Sequence, residues 1–322
     1  MARRNRIAKG LAAGLTLCTA GLTRILPLPL SRRCLLLCGR FAIWVVPRIR
    51  RVGLANLDLA YGDSLTRAEK RRILRGAVDN MAIVAAEFSR LPYFAARRFE
   101  GLVAVQGLEH LDPQRGGLCI SGHIGNWEFM APVLAAQGLR LAEVVRPLDV
   151  AALDRYVEGT REAGGVRTIP KDQAGEELLA LLKEGWFTGI LVDQSPRDNG
   201  IPTTFFGHTC WSTIGPAMIA AKAQAPVYFV TLLRQRDYRY VLRVHPPLPL
   251  VFTGAIRQDL FANTQIIQDA FEELVRAHPD QWLWPHRRWK QRPRLEREWA
   301  ARLQRDAATD AHVHNSSTAP GP

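Results

Sequence analysis

The sequence predicts an α/β protein with a mostly parallel central sheet flanked by helices. Two observations carry this: apolar runs of strand length recur along the body, and stretches of helical length separate them. A third, the gathering of apolar runs and positive charge within residues 1–50, adds an N-terminal membrane-anchoring helix.

The strand-like runs are 103–106, 118–121, 141–145, 166–169, 187–192 and 227–233, with a further one at 238–244 that suits an antiparallel edge beside its predecessor. Helical stretches fall at 126–137, 151–163, 174–184 and 213–224. Ahead of them, Thr66 precedes a segment in which Ile73, Leu74, Ala77, Val78, Met81, Ile83 and Val84 recur at helical spacing, an amphipathic helix over 67–86. At 322 residues and 47% hydrophobic content the chain can bury a substantial core. These features divide it into a basic, apolar anchor (1–50), a folded body (51–305) and a disordered tail (306–322) rich in Ala, Ser, Thr, His and Pro.

Net charge is +13, but it is concentrated at the ends. Residues 1–51 hold eleven Arg or Lys and no acid, Asp58 being the first carboxylate, whereas 52–286 carry 24 basic and 26 acidic groups. A near-neutral body argues against a nucleic-acid binder, which needs basic residues spread over a folded face. Basic ends suit anionic membrane lipids instead. The uncharged run Gly10 to Thr23 is short for a bilayer span. It reads as an uncleaved anchor lying in or dipping into the membrane, with a cytoplasmic N-terminus; a spanning helix remains the alternative. Five cysteines, at 18, 34, 38, 119 and 210, form no CxxC pair, which fits a reduced compartment and offers no metal set.

The chemistry concentrates in Gly122-His-Ile-Gly-Asn-Trp-Glu128. Histidine is the natural general base near neutral pH, and a carboxylate on its other ring nitrogen fixes the tautomer. His123 gives the one His-x4-Glu spacing in the chain; it follows an apolar strand and precedes a helix, the place where open α/β sheets bind ligands. Gly122 and Gly125 let the chain bend there, and helix N–H groups beyond them can face an anion. Read from spacing alone, a buried histidine bonded to a local acid remains open.

Those residues resemble the catalytic block of the lipid A biosynthesis lauroyl/myristoyl acyltransferases, part of the wider HX4D/E glycerolipid acyltransferase group. Further blocks agree in order: Asn56-Leu-Asp-Leu-Ala60, Val145-Arg146-Pro147, Asp193-Gln194, Phe205-Phe206-Gly207 with Thr213 and Gly215, Ala225-Pro226-Val227, and Gln281 to Lys290. The similarity spans roughly 40–295.

The resemblance implies a glycerolipid acyltransferase-like fold and an O-acyltransferase without a cofactor or metal. It would move a fatty acyl chain from acyl carrier protein onto a hydroxyl of a lipid A precursor, on the cytoplasmic face of the inner membrane. His123 would be the base, Glu128 its partner, and Arg146 a charge stabiliser or clamp. Gly125, Asn126, Asp193, Phe205, Phe206, Gly207, Arg287 and Arg288 are expected to bind substrate. Phe205 to Gly207 read first as a hydrophobic turn and second as acyl-channel lining; Asp193 closes a buried strand, as functional carboxylates and helix caps both do. His286, Arg287, Arg288, Lys290 and Arg292, among Trp282, Trp284 and Trp289, either grip phosphates near the membrane plane or form a solvated basic face over core tryptophans. Ile124 and Asp149 depart from the family's usual residues, leaving chain length and acceptor open. Another glycolipid acceptor such as a mannosylated phosphatidylinositol, an acyl-CoA donor, and a non-catalytic lipid-binding protein on the same fold are the alternatives.

Overall fold

The computed structural model describes residues 2–170, 174–196, 198, 200–301 and 304. The expected tail, 306–322, lies outside them. Where a single N-terminal anchor helix was expected, the chain forms three helices: α1 (Ala2–Ile25), α2 (Leu28–Val45) and α3 (Pro47–Tyr61). Proline sets the breaks, because Pro27 and Pro47 lack the N–H that would continue a helix through them. No described helix is long and apolar enough to cross a membrane.

Helix α4 (Arg67–Phe88) begins where Thr66 predicts, in a capping box: the Thr66 side chain accepts from the Glu69 N–H, and the Glu69 carboxylate accepts from Thr66 N–H. One short helix, α5 (Leu91–Ala96), leads into the body.

The body alternates β1 (Val103–Gln106), β2 (Gly117–Ser121), α6 (Trp127–Ala136), β3 (Leu141–Val145), α7 (Ala151–Glu162), β4 (Val166–Pro170), α8 (Ala174–Lys183) and β5 (Phe187–Leu191). A hairpin of β6 (Gly200–Phe205) and β7 (His208–Thr213) follows, then α9 (Gly215–Ala223), β8 (Val227–Arg234), β9 (Tyr240–Pro247) and α10 (Ile256–Ala277).

Seven strands form one sheet in the order β1-β9-β8-β2-β5-β3-β4. Its pairings are parallel except β8 with β9, so β1 and β9 run against the other five. The antiparallel pairing expected after β8 is present, but β9 is not the edge: β1 covers it.

Strand β2 is buried at every residue, as a parallel strand covered on both faces must be. Leu118 and Ile120 face a core with Phe229, Phe271 and Trp282, whereas Cys119 faces one with Phe129, Phe187 and Val230. The hairpin was legible only as a turn at Phe205 to Gly207. It forms a separate two-stranded sheet that turns through Phe206 and Gly207, both in the left-handed region.

Candidate active site

The loop 122–126 leaves the C-terminal end of β2. A Cβ at Gly122 would run into the Phe271 ring, and one at Gly125, whose φ is +60°, would collide with the Leu232 carbonyl oxygen, so the loop lies against its supports in a way only glycine allows. Every backbone N–H from His123 to Asn126 is engaged: His123 with the Asp193 carboxylate, Ile124 with Gly122 O, Gly125 with Gln281 O and Asn126 with Leu232 O. The N–H groups of these four residues are therefore already used within the fold. Asn80 on α4 ties the loop further by donating to the carbonyls of Gly125 and Gln281, at 2.8 and 3.1 Å.

Asp193, two residues beyond β5, reaches the loop because β2 and β5 are parallel neighbours in the register Ser121 with Leu191. Two residues past that pair on each strand stand His123 and Asp193. The imidazole Nδ1–H donates to Asp193 Oδ1 at 2.8 Å, while Oδ2 accepts from the His123 backbone N–H and from Trp282 Nε1, each at 3.0 Å. Burial alone would raise the Asp193 carboxyl, but the adjoining imidazole, its hydrogen bond, the charge of His286 and the indole N–H together hold it well below the usual carboxylate range. Burial pulls His123 the other way, towards neutral; Asp193, its hydrogen bond and the charge of Glu128 outweigh it, and the imidazole is raised against the opposing charge of Arg161.

His123 is 20% exposed and Asp193 1%. The acid is sealed while the base stays open, with Nε2 turned toward the exposed Gln194 amide 3.4 Å away. His286 lies close enough to feel both; burial pushes it down to about 4, so it is neutral near physiological pH.

The expected partnership of His123 with Glu128 is corrected by this geometry. Glu128, in the first turn of α6, accepts from Arg161 Nε at 3.0 Å and Nη2 at 2.9 Å, and from Trp127 Nε1 at 3.1 Å. It acts on His123 through space, as a nearby charge. The reason is strand order: β5 lies beside β2 and delivers Asp193 to Nδ1, while the α6 turn faces α7, from which Arg161 projects.

Arg161 also lies 3.8 Å from Glu143 on β3, whose carboxyl burial pushes up to about 7 against the pull of the guanidinium. Two acidic side chains thus share one cation beside the imidazole. Sequence reading missed Arg161 and Glu143; no local motif marks either, and only the packing of α6, α7 and β3 brings them together. Arg146 is exposed at the C-terminal end of β3 and makes no hydrogen bond to His123, Asp193 or Glu128 among the described residues.

Four other expected contact residues are turned inward. Asn126 is fully buried, with its amide donating to Glu87 at 2.8 Å. Phe205 and Phe206, 0% and 4% exposed, pack among Phe271, Trp282, Trp284 and Trp289. Their turn reading stands: Phe205 backs Trp282, the donor to Asp193, and Phe206 packs on Trp284 and Trp289 at the hairpin turn. Arg288 is sealed and spends its guanidinium on Trp211 O, Ser212 Oγ and Gln268 Oε1, all at 2.7 Å. Arg292 similarly pins Ser195, just beyond Asp193. Gly207 and Arg287 are exposed. Among the described residues no group of three His, Cys, Asp or Glu side chains is placed to hold a metal.

This arrangement can take a proton from an alcohol at Nε2 while Asp193 stabilises the resulting imidazolium. Comparison with known proteins agrees in chemistry. The family model for bacterial lipid A biosynthesis acyltransferases matches residues 6–291. The lipid A biosynthesis lauroyltransferase of Escherichia coli K12 is 24% identical over 83% of this chain and 88% of its own length. The phosphatidylinositol mannoside acyltransferase of Mycolicibacterium smegmatis is 24% identical over 65% of this chain and 70% of its own. Among solved structures, the 1-acyl-sn-glycerophosphate acyltransferase PlsC of Thermotoga maritima covers 80% of this chain at 16% identity and a TM-score of 0.36, too loose a likeness to carry an argument. The match over residues 6–291 places the chain in the bacterial lipid A biosynthesis acyltransferase family, and it is an acyltransferase.

Proposed function

We infer that the enzyme transfers a fatty acyl chain from the thioester of acyl carrier protein to a hydroxyl of a lipid A precursor, at the cytoplasmic face of the inner membrane. The observation that carries this reading is the open Nε2 of His123 above a sealed Asp193. In the reaction the acceptor oxygen attacks the thioester carbonyl carbon while its proton passes to Nε2. The C–O bond forms, the C–S bond breaks, and the proton returns to the departing thiolate. No acyl-enzyme is needed. Glu128, held by Arg161, adds negative charge beside the imidazolium. The exposed Arg146, at the same end of the sheet as His123, is suited to an anionic group on either substrate.

Apolar side chains left exposed along α1 and α2, Leu15, Leu22, Leu37, Phe41 and Trp44 among them, support attachment to a membrane surface. A second reading keeps the chemistry and changes the acceptor to another glycolipid, with acyl-CoA as a possible donor; the match to phosphatidylinositol mannoside acyltransferases favours it.

One assay matrix decides: purified enzyme, both acyl donors, and a lipid A precursor or a phosphatidylinositol mannoside as acceptor. Turnover only with acyl carrier protein and the lipid A precursor supports the first reading. Turnover confined to the mannoside replaces it, and none with any pair removes both.

A further inference from the structure

A hollow of about 270 Å³ opens between α2, α3 and α4, away from His123, and each helix contributes one guanidinium to it: Arg40, Arg50 and Arg75. Its remaining wall is Ile43 and Trp44. Arg40 is held in place by Asp79, with Nε and Nη2 donating to the carboxylate at 2.9 and 2.8 Å. Arg50 and Arg75 are exposed and have no acidic partner among the described residues, so the hollow carries two uncompensated positive charges. A second hollow adjoins it, sharing Arg50 and adding Arg51 and Arg67, the latter paired with Asp58.

The apolar wall continues along α2. Leu37, Phe41 and Trp44, spaced by four and three residues, stand on one helical face and are 66%, 62% and 73% exposed. An exposed helical stripe ending in tryptophan beside converging guanidinium groups has one natural complement: a molecule with hydrocarbon at one end and a phosphate at the other. A wholly polar acidic surface would match the charge but would leave this stripe in water.

We propose that Arg40, Arg50 and Arg75 form a headgroup site for an anionic phospholipid of the leaflet, with its acyl chains lying along Leu37, Phe41 and Trp44. The site deepens the membrane attachment described above and rests on it. Arg40, pinned by Asp79, gives the phosphate a fixed partner, while Arg50 and Arg75 close on it from α3 and α4.

The test is flotation of the full-length enzyme with phosphatidylcholine vesicles, pure or containing about one third phosphatidylglycerol. Wild type should prefer the anionic vesicles, and Arg50→Gln/Arg75→Gln should weaken that binding roughly thirtyfold, Arg75→Gln alone about fivefold. Lys183→Gln/Lys222→Gln removes equal charge from α8 and α9, near the start of β5 and β8, and should change binding less than about threefold.

Equal losses in the two double variants, or no loss in the first, would overturn the site while leaving membrane attachment intact. Displacement by submillimolar glycerol phosphate would assign it to a free phosphate instead. Loss of acyl carrier protein binding with vesicle binding unchanged would assign it to an acidic protein. Wild type that floats with neither vesicle defeats the attachment reading itself. Both altered arginines are exposed, so circular dichroism matching wild type separates lost binding from lost folding.

Discussion

The loop 122–126 has two sides, each held by a buried carboxylate, and the two carboxylates are used differently. In front, Asp193 gathers three donors, all from the loop or from Trp282 behind it, and faces an imidazole that remains open. Behind, Glu87 on α4 gathers Arg32, Asn126 and Tyr240: Arg32 donates from Nε and Nη2 at 2.9 and 2.6 Å, Asn126 at 2.8 Å and the Tyr240 hydroxyl at 2.7 Å. Glu87 is 0% exposed and Arg32 12%. Burial raises Glu87, and its donors do not fully offset that rise, whereas those around Asp193 more than offset burial there. The front carboxylate keeps its charge because a base must be balanced during reaction. The rear one depends on a single arginine from α2 and serves to hold α2, α4 and α6 together.

The largest expected effect comes from breaking the front. His123→Ala should lower kcat by ~10² to 10⁴ with the fold retained, read by acyl transfer and circular dichroism. An unchanged rate would remove His123 as the base. Breaking the rear should act on stability instead. Glu87→Ala leaves Arg32 and the Asn126 amide without their acceptor, and the loss of one partner from a buried pair costs about 3–5 kcal/mol, read by urea unfolding. Normal stability with lost activity would reverse the contrast drawn here. Between the two sides lies Gly125→Ala, which must place a Cβ against the Leu232 carbonyl at positive φ. It should cost roughly 1–3 kcal/mol and reduce kcat, because His123 shifts with the loop.

Acidity separates the sides with smaller effects. The base works unprotonated, and His123 is raised, so activity should climb as pH rises through a value above that of a free histidine. Asp193→Asn should move that limb to lower pH, since its charge and hydrogen bond are what raise the imidazole. Stability follows the opposite group. The Asp193 carboxyl is depressed in the fold, so its contribution is present above the ordinary aspartate range and is lost as pH falls through the depressed value. Asp193→Asn should flatten that part of the acid unfolding curve; an unchanged curve would mean the carboxylate is no more stabilised in the fold than out of it.

The fold was largely legible because strands buried on both faces write themselves as apolar runs: residues 118–121 were expected where β2 spans Gly117–Ser121, and 187–192 where β5 spans Phe187–Leu191. The hairpin β6–β7 was not. Pro202 and the alternating polar residues in it give no continuous run, and its burial comes from α10, far along the chain. The N-terminal helices were blurred for a similar reason: interspersed arginines broke their apolar periods into patches.

At the site, His123 was visible through its local motif, and Glu128 was given the partner's place because it stands in the same motif. Asp193 is 70 residues away and enters only through strand order and register, which a single sequence does not display. From the sequence it reads only as a strand-ending acid, without a partner. Arg161 and Glu87 carried no local signal at all, since each is one charged residue on an amphipathic helix.

The central claim is that Asp193, and not Glu128, holds the imidazole. The low-field proton resonance of His123 Nδ1, followed in wild type, Asp193→Asn and Glu128→Gln enzyme labelled with nitrogen-15 at histidine, tests it directly. The account predicts that the resonance survives in Glu128→Gln and disappears or moves sharply upfield in Asp193→Asn. Survival in Asp193→Asn together with loss in Glu128→Gln would contradict it.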